Sequence, residues 1–184
     1  MRTLLILAAC AGLALPAAAV LAQTRPAHPA PAKPAAKPAK PDAPKSIGKF
    51  DDWQAATHAE AGQTVCYAFT RSQTSSPAVP GRGDVVMTVT QRQSGRDAVA
   101  ISAGFNYAAN AEVQVTADKV ELPFYTAARS AFARDGHAAT VAFGNARQAV
   151  AKSPGPKATT VTDTFSLRGY PAAYAAINKA CPAK

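Results

Sequence analysis

Cys66 and Cys181 stand 115 residues apart, so a bond between them obliges the end of the chain to return to an element formed near its start. That bond is the expectation here. The third cysteine, Cys10, lies in an N-terminal stretch with the features of a cleaved export signal, and its removal leaves an even count in an oxidising compartment. In the chain-entropy account a crosslink closing so long a loop is worth roughly 4 to 5 kcal/mol. A redox or metal-binding role for the pair finds no support. The sequence has no Cys-x-x-Cys, and His28, His58 and His137 are scattered without ligand spacing. No cofactor is expected.

Met1 and Arg2 form a minimal positive start, and Thr3 to Leu21 is almost wholly apolar. Residues 1–22 read as a signal peptide with cleavage after Ala22, which makes Gln23 the first residue of the mature chain. A competing reading takes Leu7-Ala8-Ala9-Cys10 as a lipoprotein box. The apolar stretch before Cys10 is only about seven residues, at the short edge for a signal, and a further apolar run follows it. No later run approaches the ~20 apolar residues of a spanning helix. The mature chain is therefore expected to be periplasmic or secreted.

Residues 23–45 change abruptly to Pro, Ala and Lys, with no aromatic residue to bury. Such a segment cannot build a core, and it reads as a disordered spacer sampling extended, polyproline-like states. Six of the twenty Lys and Arg fall in residues 1–45 against one acid, Asp42, so the basic pI of 9.8 belongs largely to this part of the chain. Lys33, Lys37, Lys40 and Lys45 could draw the chain weakly to an anionic membrane or cell-wall polymer. Nucleic acid is not an expected partner, because the rest of the chain has no interleaved basic and aromatic stripe.

Residues 46–184 are long enough for one domain with its own core. They are rich in Val, Thr and Phe with turn residues at short intervals. Strands are expected at Phe50 to Thr57, Thr64 to Arg71, Asp84 to Gln91, Ala98 to Ala103, Glu112 to Thr116, Lys119 to Tyr125, Arg147 to Lys152 and Thr159 to Leu167. Ser94 to Asp97 and Ala117-Asp118 read as hairpin turns, and His137 to Asn145 is open between helix and strand. Pro171 suits a first helical turn, and Tyr170, Tyr174, Ile177 and Cys181 recur on one helical face. The expected fold is mainly β, a single β-sandwich domain of short antiparallel strands closed by a C-terminal helix.

No catalytic motif is present: neither a Gly-x-Ser-x-Gly elbow nor a His-Glu-x-x-His helix nor a phosphate-cradling loop occurs. Asp51 and Asp52 are adjacent, so on a strand they face opposite ways and form no carboxylate pair. Asp135-Gly136-His137 could hold a general base, but its composition is that of a turn and it has no nucleophile assigned to it. Arg82-Gly83-Asp84 is the tripeptide read by animal integrins, yet a glycine-rich turn entering a strand explains the same residues. Trp53, the only Trp, reads as a core anchor rather than a carbohydrate platform. Tyr67, Phe69, Phe105, Tyr107, Phe124, Tyr125, Phe132, Phe143 and Phe165 read as core residues or cross-strand partners.

Several segments, taken in order, carry a resemblance: Lys49-Phe50-Asp51-Asp52-Trp53, Val65-Cys66-Tyr67, Arg82-Gly83-Asp84-Val85, Thr162 to Tyr170, Ala173-Tyr174 and Ala180-Cys181. Together they resemble the invasion-associated locus B family across about residues 47 to 182. The chain departs from the pattern at Asp51, where that family commonly has Gly. The resemblance implies a small exported β-sandwich of Gram-negative bacteria without known catalytic activity. Three functional classes follow, in order of expectation: an envelope accessory protein that binds an unidentified protein or envelope polymer, a secreted or surface factor contacting host cells, and an uncharacterised envelope enzyme.

Overall fold

The computed structural model describes residues 43–183. The signal peptide, the box at Cys10 and the spacer lysines Lys33, Lys37 and Lys40 lie outside the described residues. Lys45, read as the end of the spacer, instead opens the first strand. Strand β1 (Lys45–Phe50) turns at Asp51 into β2 (Trp53–Glu60), followed by β3 (Gln63–Arg71), the short β4 (Thr74–Ser76), β5 (Val86–Gln91), β6 (Ala98–Ser102) and β7 (Glu112–Ala117). Strands β8 (Val120–Ala127) and β9 (Ser130–Ala133) lead to helix α1 (Gly136–Asn145). Strands β10 (Gln148–Pro154) and β11 (Thr160–Ser166) precede helix α2 (Tyr170–Ala180). Among the described residues no helix is long and apolar enough to cross a membrane.

All eleven strands join one antiparallel sheet in the order β1-β2-β3-β5-β6-β9-β8-β7-β10-β11-β4. The expected mainly-β antiparallel fold with a C-terminal helix is present. Its two faces come from a single sheet coiled back on itself. Although β2 and β11 are far apart in strand order, the indole Nε1 of Trp53 donates to the Ser166 carbonyl at 2.9 Å. The inner side chains of both halves therefore line one core, which holds Trp53, Met87, Phe124, Phe143, Phe165, Tyr170 and Ile177 fully buried. Helices α1 and α2 fill this core through Ala139 and Phe143 and through Tyr170, Ala173 and Ile177. They leave the outer face of the sheet open.

Three differences from the expected strands have local causes. The strand expected from Phe50 to Thr57 is divided, because Asp51 takes a positive φ of 47° and turns the chain. Asp tolerates this left-handed backbone better than most residues, so Asp51 can make the turn without a glycine. Strands β4 and β9, of three and four residues, are too short to show period-two alternation; β4 is Thr-Ser-Ser, exposed throughout. The ambiguous segment from His137 becomes α1, whose first turn is capped by Asp135: its side chain accepts from the Ala138 N–H at 2.9 Å.

Helix α2 begins where β11 ends because Gly169 adopts φ +85°, and a Cβ there would lie 2.0 Å from the Phe50 carbonyl oxygen. Only glycine permits so close an approach. Pro171 stands in the first turn, as the sequence suggested. At the far end Cys181 caps the helix and is bonded to Cys66 of β3, with 6.0 Å between Cα atoms. Arg96 donates to the Cys181 carbonyl at 2.8 Å and to Asn178 Oδ1, which places a cation against the negative end of the helix. Replacing Cys181 by Ser should lower stability by about 2 to 5 kcal/mol in chemical denaturation. Alkylation of the unreduced, denatured wild type should label neither cysteine. Full labelling would remove the staple.

Candidate functional site

The Arg-Gly-Asp tripeptide is structural. The loop between β4 and β5 turns Arg82 inward, so that its side chain is 6% exposed and that of its partner Asp163 only 1%. Both guanidinium NH2 groups donate to the two Asp163 carboxylate oxygens at 2.7 Å, and Nε donates to the Ala103 carbonyl at 2.6 Å. Ser75 Oγ adds a third donor to Asp163 at 2.7 Å, and the Phe105 ring lies 5.0 Å from the guanidinium carbon. Asp84, the third residue of the tripeptide, is exposed and pairs with Arg71 at 3.1 Å. An integrin would have to extract Arg82 from a buried, fully bonded pair. Beside it Tyr107 shares a hydrogen bond of 3.2 Å with Ser153, and burial pushes the Tyr107 hydroxyl pKa up.

The nearest thing to a catalytic constellation centres on Asp97, which sequence reasoning placed only in a hairpin turn. Asp97 has φ +55° at the end of the β5–β6 connection. Its Oδ1 accepts from the Gln91 amide at 2.6 Å and from the Tyr174 hydroxyl at 2.7 Å, while Oδ2 lies 3.2 Å from His137 Nδ1. The Asp97 N–H in turn donates to Gln91 Oε1 at 2.8 Å. Burial raises the Asp97 pKa, but the hydrogen bonds from Gln91, Tyr174 and His137 together outweigh it and hold the carboxyl below the ordinary aspartate range. Asp135, the sequence candidate, stays at the α1 cap and does not join His137.

This cluster ties two helices to a hairpin. Gln91 comes from β5, Tyr174 from α2 and His137 from α1. Gly136 lies so close that a Cβ would meet the Asp97 carbonyl oxygen at 1.9 Å. The buried Tyr170 ring, between Trp53 and Phe143, continues the same contact inward, and desolvation drives its hydroxyl pKa far upward. His137 itself is 79% exposed. Asp51 and Asp52 likewise form no carboxylate pair, since Asp51 is engaged by Arg168 at 3.0 Å.

Among the described residues, two open surfaces carry exposed apolar or aromatic side chains. One is an apolar groove of about 630 Å³ between α1 and the β7–β8 turn, lined chiefly by Ala117, Val120, Ala138, Val141 and Ala142. Val120 and Val141 are about half exposed there. The other is the outer face of the sheet, where Tyr67, Phe69, Tyr125 and Phe132 stand as two stacked pairs. Trp53 contributes to neither, being fully buried as a core anchor.

Comparison with known proteins agrees with the fold. The sequence model described as invasion associated locus B (IalB) protein matches residues 53–178. The crystal structure of invasion associated protein b from Bartonella henselae is similar, with a TM-score of 0.54 and 14% identity over 72% of this chain and 95% of that chain. No curated protein sequence matches.

Replacing Arg82 by Ala strands a buried carboxylate and should cost about 3 to 5 kcal/mol by thermal or chemical unfolding. Removing exposed Asp84 should cost under ~1 kcal/mol. Equal effects would refute the buried-pair account. Because the folded Asp97 pKa is depressed, its stabilisation is complete above the unfolded value of ~3.9 and is lost as pH falls through the folded value. Stability of Asp97→Asn should therefore fall short of wild type at neutral pH, begin to approach it as pH drops below ~4, and converge only once pH is below the depressed folded value.

Proposed function

We propose that this chain, which belongs to the invasion associated locus B family, is an exported, non-enzymatic binding protein of the bacterial envelope. The observation that carries this reading is where the family-like segments meet. Phe50 to Trp53 and Ser166 to Tyr170 converge on one another, through the Trp53 to Ser166 hydrogen bond, the Gly169 approach to Phe50 and the Asp51–Arg168 pair. Most of their shared residues build a scaffold joint, and Asp51 and Asp52 also border an open surface depression. His137, Asp97, Asp135, Arg82 and Asp163 are likewise engaged in holding elements together.

Export is supported by the signal-like residues 1–22 and by the Cys66–Cys181 bond, since such bonds persist in oxidising compartments. The lysines Lys33, Lys37, Lys40 and Lys45 add a weak, salt-sensitive attraction to anionic envelope surfaces. A host-contacting surface factor is the second reading in this class, and the buried Arg82 deprives it of its one sequence motif.

Protease and impermeant-label treatment of intact cells beside osmotically opened cells, with the mass of the mature N-terminus, tests the placement. Protection until the outer membrane is breached and a start at Gln23 are the expected results. Digestion on intact cells would move the chain to the cell surface, and a start at a lipidated Cys10 would make residues 23–45 a membrane stalk.

A further inference from the structure

The ladders of the sheet align one row of outward side chains across eight strands. Reading the register gives Lys49, Gln54, Phe69, Thr88, Ala100, Phe132, Tyr125 and Glu112. Phe69 and Phe132 are half-buried and Tyr125 is 44% exposed, with no helix over them. Phe69 stacks with Tyr67 at 5.9 Å and 29°, and Phe132 with Tyr125 at 5.5 Å and 27°. Between these two shelves the row carries only Thr88 and Ala100. Three strand spacings, ~14 Å, separate the shelves. The corresponding row on the other half of the sheet is Gln114, Lys152, Thr162 and Ser76, with no ring at all.

A depression of about 250 Å³ adjoins Phe69 at the Lys49 end of the row. Its lining includes Lys49, Asp52, Gln54 and Gln73, whose side chains make no hydrogen bond among the described residues. An aromatic face thus stands beside uncommitted amide, carboxylate and ammonium groups, so both donors and acceptors are on offer. The charges around the face are paired: Arg71 with Asp84, Arg92 with Glu60, Arg134 with Glu112. Lys49 and Asp52 balance each other in the depression.

We propose that this face binds a neutral glycan strand, with Phe69 and the depression beside it as the principal sugar site. The inference rests on the reading of the chain as an envelope binding protein and supplies its ligand class. A pyranose presents an apolar C–H face to a ring and hydroxyls at its edge, which is the pairing of surfaces that Phe69, Gln54, Gln73 and Asp52 offer. A linear polymer suits rings set in a line across the strands. The balanced charge complements an uncharged chain, whereas an anionic lipid or nucleic acid calls for an excess of cations.

The test is titration of the purified chain with β-1,4-linked N-acetylglucosamine tetramer and cellopentaose, read by the ring resonances of Phe69, Tyr67, Phe132 and Tyr125. Saturable shifts at these rings, unchanged between low and high salt, are expected. Phe69→Ala should weaken binding about tenfold, in line with loss of an aromatic contact. Gln54→Ala, an exposed change that spares the fold, should weaken it severalfold, and Thr162→Ala on the ringless half should leave it unchanged. Absence of shifts with either sugar overturns the proposal. So do shifts produced only by raising the protein concentration, which mark a second copy, and shifts produced only by anionic vesicles and lost in salt. A chain that is exported but ignores both sugars loses this ligand class and keeps its envelope role; a chain that fractionates with the cytoplasm loses the envelope role itself.

Discussion

The joint made by Trp53, Ser166 and Gly169 decides whether the sheet closes. A long antiparallel sheet twists, but twist alone does not bring its second strand to its tenth. Here one indole N–H reaches the last carbonyl of β11, the Tyr170 ring lies edge-on at 4.9 Å, and a glycine lets the Phe50 carbonyl come within reach of the α2 start. The polar end of the indole is satisfied only in the closed state, since an unbonded N–H in that core would carry a desolvation penalty of ~1 to 3 kcal/mol. The disulfide holds the other end of α2 to β3. Between them these two contacts clamp the helix over the open side of the coil.

Much of this was legible in the sequence, and the part that was not has physical reasons. The alternating residues of β5, the turn chemistry near Asp118 and the helical spacing of Tyr170, Tyr174 and Ile177 are local signals, and each element formed where those signals stood. Closure is nonlocal. Nothing near Asp97 in the chain indicates that Gln91, Tyr174 and His137 will meet there, because two of the three arrive on helices far away in sequence. Arg82 was read within a glycine-rich turn, as found, but its burial was not legible, since the partner that draws it inside, Asp163, is 81 residues away. The outer aromatic row was hidden for a third reason. Tyr67, Phe69, Tyr125 and Phe132 have the composition of core residues, and only strand register shows which side of the sheet they occupy.

The molecule divides its polar groups between two tasks. Inside, Arg82, Asp163, Asp97 and Gln91 are each satisfied by several partners, and they fix which loops and helices lie where. Such buried pairs contribute less to net stability than their bond count suggests, because desolvation offsets much of the attraction. Outside, three ion pairs flank the aromatic half of the sheet, Arg71 with Asp84, Arg92 with Glu60 and Arg134 with Glu112, each joining charges of opposite sign.

The register also sets how the domain bears load. Lys45, the first residue of β1, lies opposite Thr57, and Thr57 lies opposite Cys66. A pull between the N-terminal approach and the disulfide-anchored end of α2 therefore runs across the three strands β1, β2 and β3, at right angles to their length. Hydrogen bonds loaded in that direction open one after another instead of in parallel. Strand β1 would peel away as a mechanical fuse while the remainder of the sheet, outside the line of force, stayed intact.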